Sequence, residues 1–249
     1  MNNQWHSYSL YPATKQAYRK LFMLILLLGF QVGCAHSPES KSSNDPFESA
    51  NRSVQGFNDK VDSLGLKPAA KGYTTIIPAP VERGVSNFFS NVADPVVAVN
   101  QFLQGKFKLG IQDSARFLFN STFGLGGLIN IASPMGLEKH EEDFGQTLAV
   151  WGVGSGSHLN IPFWGPTNLR DGTGTIVEAF ANPIGHINDV RTRNSLAALL
   201  AVDKRASLLS AEGMITGDRY LFIRDVYNQR REFLIKDGEV EDAFLDDDE

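Results

Sequence analysis

The chain reads Pro80-Val-Glu-Arg-Gly-Val-Ser-Asn-Phe-Phe-Ser-Asn-Val-Ala-Asp-Pro-Val-Val-Ala-Val-Asn-Gln-Phe-Leu-Gln-Gly105 across its most strongly patterned stretch. Apolar residues recur there every three or four positions, which gathers their side chains on one face of an α-helix. One series is Val81, Val85, Phe88, Phe89 and Val92, and a second is Val96, Val99, Phe102 and Leu103. Because proline lacks the N–H that a helix interior needs, we expect one helix to end at Asp94-Pro95 and another to run from Pro95 to Gly105.

Helical spacing continues on both sides of this stretch, whereas the alternation typical of strands is scarce. Asp45-Pro46 is typical of a helix start, with a capping side chain followed by proline. Residues 111–124 and 196–209 carry further helical patterns, and Asp218 is placed to cap a long C-terminal helix. The sequence therefore predicts an all-α domain over residues 45–236, with no evident internal repeat.

The N-terminus has the layout of a lipoprotein signal peptide. Basic residues precede the apolar run Leu21–Phe30, which is shorter than the roughly 20 residues that span a bilayer. Small residues then lead to Cys34, the only cysteine of the chain. A cut after residues 1–33 would free this cysteine for lipidation, with residues 34–44 as a flexible tether. The alternative is an unmodified thiol. Ala35 is not the Asp that usually retains lipoproteins at the inner membrane, which favours the outer membrane.

Charge is concentrated at the two ends of the chain. Residues 237–249 hold eight acidic residues and no basic one, and the signal segment contributes three positive charges. The formal net charge of −5 therefore leaves the body between them neutral. A neutral body lacks the basic patch that nucleic-acid binding requires. The acidic tail is predicted to be a disordered, solvated end, and a specific docking role is the alternative.

Several helical segments are apolar nearly all round, residues 116–119 and 125–129 among them, and the chain contains 17 phenylalanines. Such helices are either buried in a large core or exposed to lipid. A neutral domain of this size has limited core in which to bury them, so both interpretations stay open at this point. In the second, the helices lie in the plane of the membrane interface.

Known catalytic patterns are missing from the sequence. Four acidic residues surround His140 in the segment 138–143, but the second histidine of a helical zinc site is absent, so these residues are interpreted as surface charges or helix-start residues. No Gly-x-Ser-x-Gly turn occurs, and Gly152-Val-Gly-Ser-Gly156 lacks the spacing of a nucleotide-binding loop, so its glycines indicate a bend. We therefore expect no catalytic residue, no metal and no cofactor, hence a protein that is not an enzyme.

Three glycines, Gly124, Gly126 and Gly127, stand together between helical segments. One interpretation is that they only permit helices to pack closely. The other is a hinge beside the path of a mobile lipid.

Short motifs follow one another along residues 44–238. In the first half they are Asn44-Asp-Pro-Phe-Glu48, Asn51-Arg52, Phe57-Asn58, Pro80-Val-Glu-Arg-Gly84, Asn87-Phe-Phe-Ser-Asn91, Asn100-Gln-Phe-Leu-Gln-Gly105, Arg116-Phe117 with Asn120, and Gly124-Leu-Gly-Gly127. In the second half they are Glu142-Asp-Phe-Gly-Gln-Thr-Leu148, Trp151-Gly-Val-Gly154, Pro162-Phe-Trp-Gly-Pro166, Leu169-Arg-Asp-Gly172, Asp218-Arg-Tyr220 and Tyr227-Asn-Gln-Arg-Arg231. This series resembles the MlaA (VacJ) family of outer-membrane lipoproteins. Gln31, Asn130 and His158 depart from the family pattern.

The resemblance implies a ring-like assembly of amphipathic and apolar helices, embedded in the inner leaflet of the outer membrane, lipid-anchored on its periplasmic side, with a central channel. Such proteins remove mislocalised phospholipid from the outer leaflet and pass it to a periplasmic lipid-carrier protein of an inner-membrane ABC transport system. Trimeric outer-membrane porins are their usual partners.

The resemblance also implies roles for residues of this chain. Gly124, Gly126 and Gly127 become candidates for a mobile loop beside the channel. The N-terminal segment that would hold the ring shut contains Asn51, Arg52, Phe57 and Asn58.

Two other functions remain as alternatives. A structural lipoprotein would need only the anchor and the fold, and would support the envelope without moving lipid. An envelope lipid hydrolase would need a nucleophile and a base, which the sequence does not show.

Overall fold

A computed structural model describes residues 45–239, which form eight α-helices and one two-stranded sheet. The helices are α1 (Glu48–Val61), α2 (Lys67–Ile76), α3 (Ala79–Leu103), α4 (Phe107–Thr122), α5 (Phe144–Val150), α6 (Leu169–Ala181), α7 (Val190–Ser207) and α8 (Arg219–Ile235). A π-helical turn at Asp62–Leu66 joins α1 to α2, and 3₁₀ turns lie at Ser133–Met135, Pro183–His186 and Ser210–Met214. The all-α prediction is confirmed. Cys34, the signal segment 1–33, the tether 34–44 and the tail from residue 240 lie outside the described residues.

The sheet is a hairpin that the sequence patterns did not predict. Strand β1 (His158–Ile161) pairs antiparallel with β2 (Gly165–Asn168), and His158 lies opposite Asn168. Its tip places Phe163 at φ 64° and Gly165 at φ 102°. Each strand has only four residues, which is too short for a period-two pattern to stand out.

Helix α3 runs unbroken through Pro95, so the expected division at Asp94-Pro95 is wrong. The buried face of α3 continues across the proline, with Asn91 and Asp94 before it and Val97 and Ala98 after it. This face packs along α4. An interior proline costs a helix roughly 3 kcal/mol, and packing on both sides of it outweighs that local preference here.

The helix ends follow their capping residues. Asp218 accepts hydrogen bonds from the backbone N–H groups of Tyr220, at 2.9 Å, and Leu221, at 3.2 Å, and α8 begins directly after it. The capping prediction for Asp218 is confirmed. Asp45 accepts a bond from the Phe47 N–H at 3.1 Å, and α1 starts at Glu48, close to the expected beginning of order. The pattern of residues 111–124 predicts a helix that ends at Gly124, and α4 ends two residues earlier, at Thr122.

The interior of the described domain is mostly polar. Its residues with buried side chains include eighteen polar or charged ones and eight hydrophobic ones. The largest fully buried side chains are Gln101, Gln146, Thr147, Asp94 and Asp113. Large apolar side chains point outward instead: Leu64 is 81% exposed and Ile76 is 77% exposed. Water-soluble domains usually show the opposite distribution, in which apolar residues fill the core.

Among the described helices, none combines the length and the apolar character needed to cross a bilayer.

Candidate functional site: a polar interior beneath an apolar surface

Helix α1 is fastened to the hairpin by two asparagines. The side chain of Asn51 donates to the backbone oxygen of His158 at 3.0 Å and accepts from the backbone N–H of Asn160 at 2.9 Å. Two turns further, Asn58 donates to the oxygen of Ile161 at 3.0 Å and accepts from the N–H of Phe163 at 2.8 Å. The amide of asparagine carries both a donor and an acceptor, so one side chain satisfies two backbone groups of the strand.

The other two predicted residues of this segment complete the contact. Arg52 donates to Asp218 at 2.8 Å, and its guanidinium lies over the ring of Tyr220, 4.6 Å from the centroid. The ring of Phe57 meets Phe163 edge-on, with centroids 5.2 Å apart. The structure thus brings Asn51, Arg52, Phe57 and Asn58 together as one clamp, which joins α1 to the hairpin and to the start of α8.

The three glycines of the candidate hinge have different surroundings. A Cβ on Gly124 would lie 2.1 Å from the backbone oxygen of Ile129, and one on Gly127 would lie 2.6 Å from the side chain of Asn91. Gly126 has φ +70° and no atom within 4 Å of its Cβ position. Close packing therefore favours glycine at position 124 and the left-handed backbone favours it at 126, while both reasons apply at 127, where φ is +93°.

The loop that carries these glycines borders an apolar groove of about 320 Å³ between α3 and α7. The groove is lined by Val85, Phe88, Leu125, Gly126, Leu128 and Leu199. Polar side chains hold the second half of the loop. Asn120 accepts from the backbone N–H groups of Ile131, at 2.8 Å, and Ala132, at 2.9 Å, and Asn87 donates to the oxygen of Leu128 at 3.2 Å.

Part of the segment around His140 pairs with buried groups of the interior. Lys139 pairs with Asp94, which is fully buried, and His140 Nδ1 lies 3.1 Å from the carboxylate of Asp113, also fully buried. Glu142, 7% exposed, pairs with Lys106 at 3.1 Å. The interpretation as a surface charge is therefore wrong for Glu142, which is buried, while His140 is only partly exposed. Their partners are Lys106, which lies between α3 and α4, and Asp113 on α4, and the periodic patterns do not reveal these pairs.

Three residues of the same segment behave as predicted, and the first of them, Glu138, is exposed. Asp143 starts a helix, since it accepts from the N–H of Gln146 at 2.8 Å at the beginning of α5. Glu141 is at the surface, where it pairs with Arg230 at 2.6 Å. The described residues contain no group of three or more His, Cys, Asp or Glu side chains placed to hold a metal ion.

Burial changes the acidity of several of these carboxyl groups. Loss of hydration raises the pKa of Asp94, and the hydrogen bond from Lys139 opposes the rise. Loss of hydration also raises the pKa of Glu142, where the hydrogen bond from Gln104 opposes the rise. The pKa of Glu178 on α6 is raised for the same reason. A carboxylate held out of water is costly unless it is paired, and such groups are concentrated in this interior.

A second buried ionic cluster surrounds Asp171 in the first turn of α6. Its carboxylate accepts from Arg170 at 2.8 Å and from the hydroxyl of Tyr227 at 2.7 Å, and lies 2.9 Å from the Nε of Arg231. Burial alone would raise the pKa of Asp171, but the hydrogen bond from Arg170 and the charge of Arg231 hold it below its ordinary value. Arg231 also pairs with Asp143, so the cluster ties α5, α6 and α8 together.

Sequence periodicity did not single out this cluster, and its members entered only as letters of the family motifs. Arg170 and Asp171 stand in a stretch whose neighbours are small or apolar, and α8 is predominantly polar. The signal that could have found them is their buried charge, which is visible only once the helices are packed.

Comparison with known proteins gives a consistent result. The family model described as MlaA lipoprotein matches residues 43–234. The intermembrane phospholipid transport system lipoprotein MlaA of Escherichia coli (strain K12) is 34% identical over 230 residues, which cover 89% of this chain and 91% of that protein. The protein of the same name from Haemophilus influenzae is 31% identical over 217 residues, which cover 84% and 87%.

A solved structure from work on the structural basis for maintenance of bacterial outer membrane lipid asymmetry also matches. The TM-score is 0.69 at 32% sequence identity, with 78% of this chain and all of the solved chain covered. Both the sequence and the arrangement of helices are therefore shared. The chain belongs to the MlaA lipoprotein family.

Proposed function

We propose that this protein is an outer-membrane lipoprotein that removes mislocalised phospholipids from the outer leaflet and passes them to a periplasmic carrier, which maintains the lipid asymmetry of the membrane. The relatives from Escherichia coli and Haemophilus influenzae are named as lipoproteins of an intermembrane phospholipid transport system. The similar solved structure comes from work on outer membrane lipid asymmetry. Transport of lipid, and no chemical reaction, is the activity that these names share.

One observation carries the proposal: the described domain buries mostly polar side chains and exposes many large apolar ones. Exposed leucine, isoleucine and phenylalanine side chains are favourable in the hydrocarbon of a membrane leaflet, where apolar surface does not contact water. Buried asparagine, glutamine and charged side chains offer hydrogen bonds inside the same domain. A phospholipid has the same two-part chemistry, with apolar acyl chains and a charged headgroup.

The mechanism is physical. Moving an unpaired headgroup through hydrocarbon is unfavourable, because each charged or polar group loses its hydration. A channel with polar walls would lower that cost, while apolar surface accompanies the acyl chains. A ring embedded in the inner leaflet would admit outer-leaflet lipid more readily than inner-leaflet lipid. The clamp formed by Asn51, Arg52, Phe57 and Asn58 would hold such a ring shut, and the loop at Gly126 would move beside its channel.

The proposal includes an anchor and partners. Lipidation of Cys34 would fix the protein to the outer membrane on the periplasmic side. Trimeric porins would be its neighbours in that membrane, and a periplasmic carrier of an inner-membrane ABC transport system would receive the lipid. The protein itself would act without a catalytic residue or a cofactor.

The test is the amount of phospholipid in the outer leaflet of cells with and without the gene. We expect this amount to rise on deletion and to fall again on complementation with the wild-type gene. Complementation with Cys34→Ala should be weaker, because the anchor is lost. If the outer-leaflet phospholipid is unchanged while the envelope still leaks, the protein is a structural lipoprotein and the proposal is wrong.

A further inference from the structure

A polar cavity of about 370 Å³ lies between the hairpin, the start of α6 and the end of α8. The side chains that matter for its chemistry are His158, Asn168, Arg170, Arg231, Glu232 and Lys236. It is separate from the apolar groove beside Gly126, with which it shares no residue.

The cations of this region line the cavity, while most of the carboxylates that balance them lie behind its wall. Arg170 and Arg231 form part of the lining, but their partners Asp171 and Asp143 do not. The one lining carboxylate belongs to Glu232, whose side chain is 69% exposed at the rim and pairs with Lys236 at 3.2 Å. The cavity therefore presents more positive than negative charge to a molecule that enters it.

The start of α6 adds to this field. Asn168 caps the helix and lines the cavity, so the positive end of a 13-residue helix points toward it. Its first amides are already bonded, since the N–H of Arg170 donates to the oxygen of Ser155 at 3.2 Å. The helix thus contributes its dipole, and the hydrogen bonds to a ligand have to come from side chains.

The imidazole of His158 can donate a hydrogen bond to a ligand, because its ring nitrogens have no partner within the described residues. It is only 9% exposed, and both of its ring nitrogens are buried without a hydrogen-bond partner in the described structure. The rings of Tyr220 and Tyr227 lie against it, with centroids 6.1 and 5.9 Å away. A buried donor without a partner is unfavourable, so a ligand that accepts a bond from this ring would remove a cost already present in the folded protein.

We propose that this cavity binds a phosphate group, with Arg170 and His158 as hydrogen-bond donors and Arg231 as a supporting charge. A guanidinium matches the geometry of phosphate oxygens, and a neutral imidazole donates from one nitrogen. The phosphate of a lipid headgroup is the source that the proposed function supplies, and in that form the inference rests on the proposed function. Inorganic phosphate is the other source of the same chemistry.

The experiment is a binding titration of the full protein in detergent, followed by NMR of ¹³C-labelled histidine rings. The probes are inorganic phosphate, glycerophosphoethanolamine (a headgroup without acyl chains) and ethanolamine. We expect saturable binding of a phosphate-bearing probe, a shift of the His158 ring signal, and no effect of ethanolamine. His158→Phe keeps the ring shape and should weaken binding at least about fivefold, the worth of one hydrogen bond.

Two further variants sharpen the test. Arg170→Lys keeps the charge and loses the planar fork, so it should also weaken binding. His186→Phe is the matched control, because His186 is exposed, bonds only to the backbone oxygen of Phe180 in the described contacts, and does not line the cavity. Each variant is first shown to unfold cooperatively with heat.

Binding of both phosphate probes supports the site with a lipid headgroup as its source, and binding of inorganic phosphate alone supports it with free phosphate. No saturable binding up to about 10 mM of either probe, or binding that His158→Phe leaves unchanged, overturns the inference. The titration does not depend on lipid movement. Failure of outer-leaflet clearance in cells, with phosphate binding intact, would contradict the proposed function and leave this site standing.

Discussion

Asn51 illustrates how single polar side chains hold this protein together. It is 3% exposed and satisfies one backbone oxygen and one backbone N–H of β1. Removing it leaves the buried oxygen of His158 and the part-buried N–H of Asn160 unpaired, and a fully buried unpaired group costs roughly 1–3 kcal/mol. Asn58 and Asn120 likewise bond to two backbone groups each, so the stability of the fold depends on such side-chain hydrogen bonds.

Asn51→Ala should therefore lower the melting temperature of the detergent-solubilised protein by about 5–10 °C, since about 2–4 °C corresponds to 1 kcal/mol at this size. Thermal unfolding followed by circular dichroism measures the change. Ser53→Ala on the exposed face of the same helix is the control, because its hydroxyl bonds only to the backbone oxygen of Ser49 in the described contacts. Equal melting temperatures for Asn51→Ala and the control would show that the clamp does not stabilise the fold.

His158 gives the protein a pH-dependent stability. Burial lowers its pKa, the charge of Asp45 opposes that effect, and Arg224 adds to it while Asp225 again opposes. Between this lowered pKa and the value near 6.5 of the unfolded chain, the unfolded state binds the proton more readily. Stability from this group is therefore complete above about pH 6.5 and is lost as the pH falls toward the folded pKa.

His158→Phe removes this titration and leaves no hydrogen bond unmade. We expect the variant to gain melting temperature relative to the wild type at about pH 5, and to gain less at about pH 8. Thermal unfolding at both pH values measures the difference, with His186→Phe as the exposed control. A difference between wild type and His158→Phe that does not change with pH would contradict a buried, neutral imidazole.

At the scale of elements, the loop at Gly126 is held by side chains at Leu128, Ile131 and Ala132, while Gly126 has open space at its Cβ position. Gly126→Pro would replace a φ of +70° by the proline value near −65° and remove the bond from its N–H to the oxygen of Ser121. We expect lipid flux to change while the protein stays folded, because Asn87 and Asn120 still hold the second half of the loop. Outer-leaflet phospholipid in complemented deletion cells measures the flux.

Gly136→Pro is the matched control for this variant. Gly136 also has a positive φ, open space at its Cβ position and an N–H bonded to Ser133, but it does not line the groove. An unchanged flux in Gly126→Pro, or the same change in both variants, would count against a hinge at Gly126.

Deletion of Phe57 and Asn58 tests the clamp between α1 and the hairpin. Two missing residues turn the remainder of α1 by about 200° and remove the contacts to Phe163 and Ile161. We expect altered lipid flux with the fold retained, since the buried contacts of Asn51 precede the deletion. Cells that express the deleted form and keep wild-type outer-leaflet phospholipid would contradict a role of this segment in lipid passage.

The elements also show how far the sequence could be interpreted. Apolar spacing located α4 and the C-terminal helix, and the capping of α8 by Asp218 followed from a local rule about side-chain oxygens. Packing decided the rest. Pro95 is tolerated because a buried face runs across it, and the hairpin forms because α1 supplies partners for its short strands. The candidate site was also only partly predictable. Its glycines are visible in the sequence, but the ion pairs of Asp94 and Asp171 join segments that are distant in the sequence.

At the scale of the whole molecule, the described domain resembles a membrane protein in what it exposes. Helix α4 places Phe107, Ile111 and Leu118 outward, each more than 60% exposed. Such a surface is stabilised by hydrocarbon and not by water. The surface therefore agrees with immersion of the domain in one leaflet, as the proposed function requires.

Replacing Ile111 and Leu118 by Asp should weaken membrane binding of a protein that also carries Cys34→Ala, because the charges would enter hydrocarbon. Vesicle flotation should show at least about a tenfold loss, while melting in detergent changes little, since these side chains make few buried contacts. Lys108→Asp on the same helix is the control for added negative charge at an exposed position. Flotation equal to that of the control would contradict immersion of α4.

The most direct measurement follows a labelled phospholipid placed in the outer leaflet of living cells and times its arrival in the inner membrane. With the wild-type gene, the label should reach the inner membrane several times faster than in the deletion strain, and Gly126→Pro should give a different rate from either. Equal rates with and without the gene would contradict inward lipid transport by this protein.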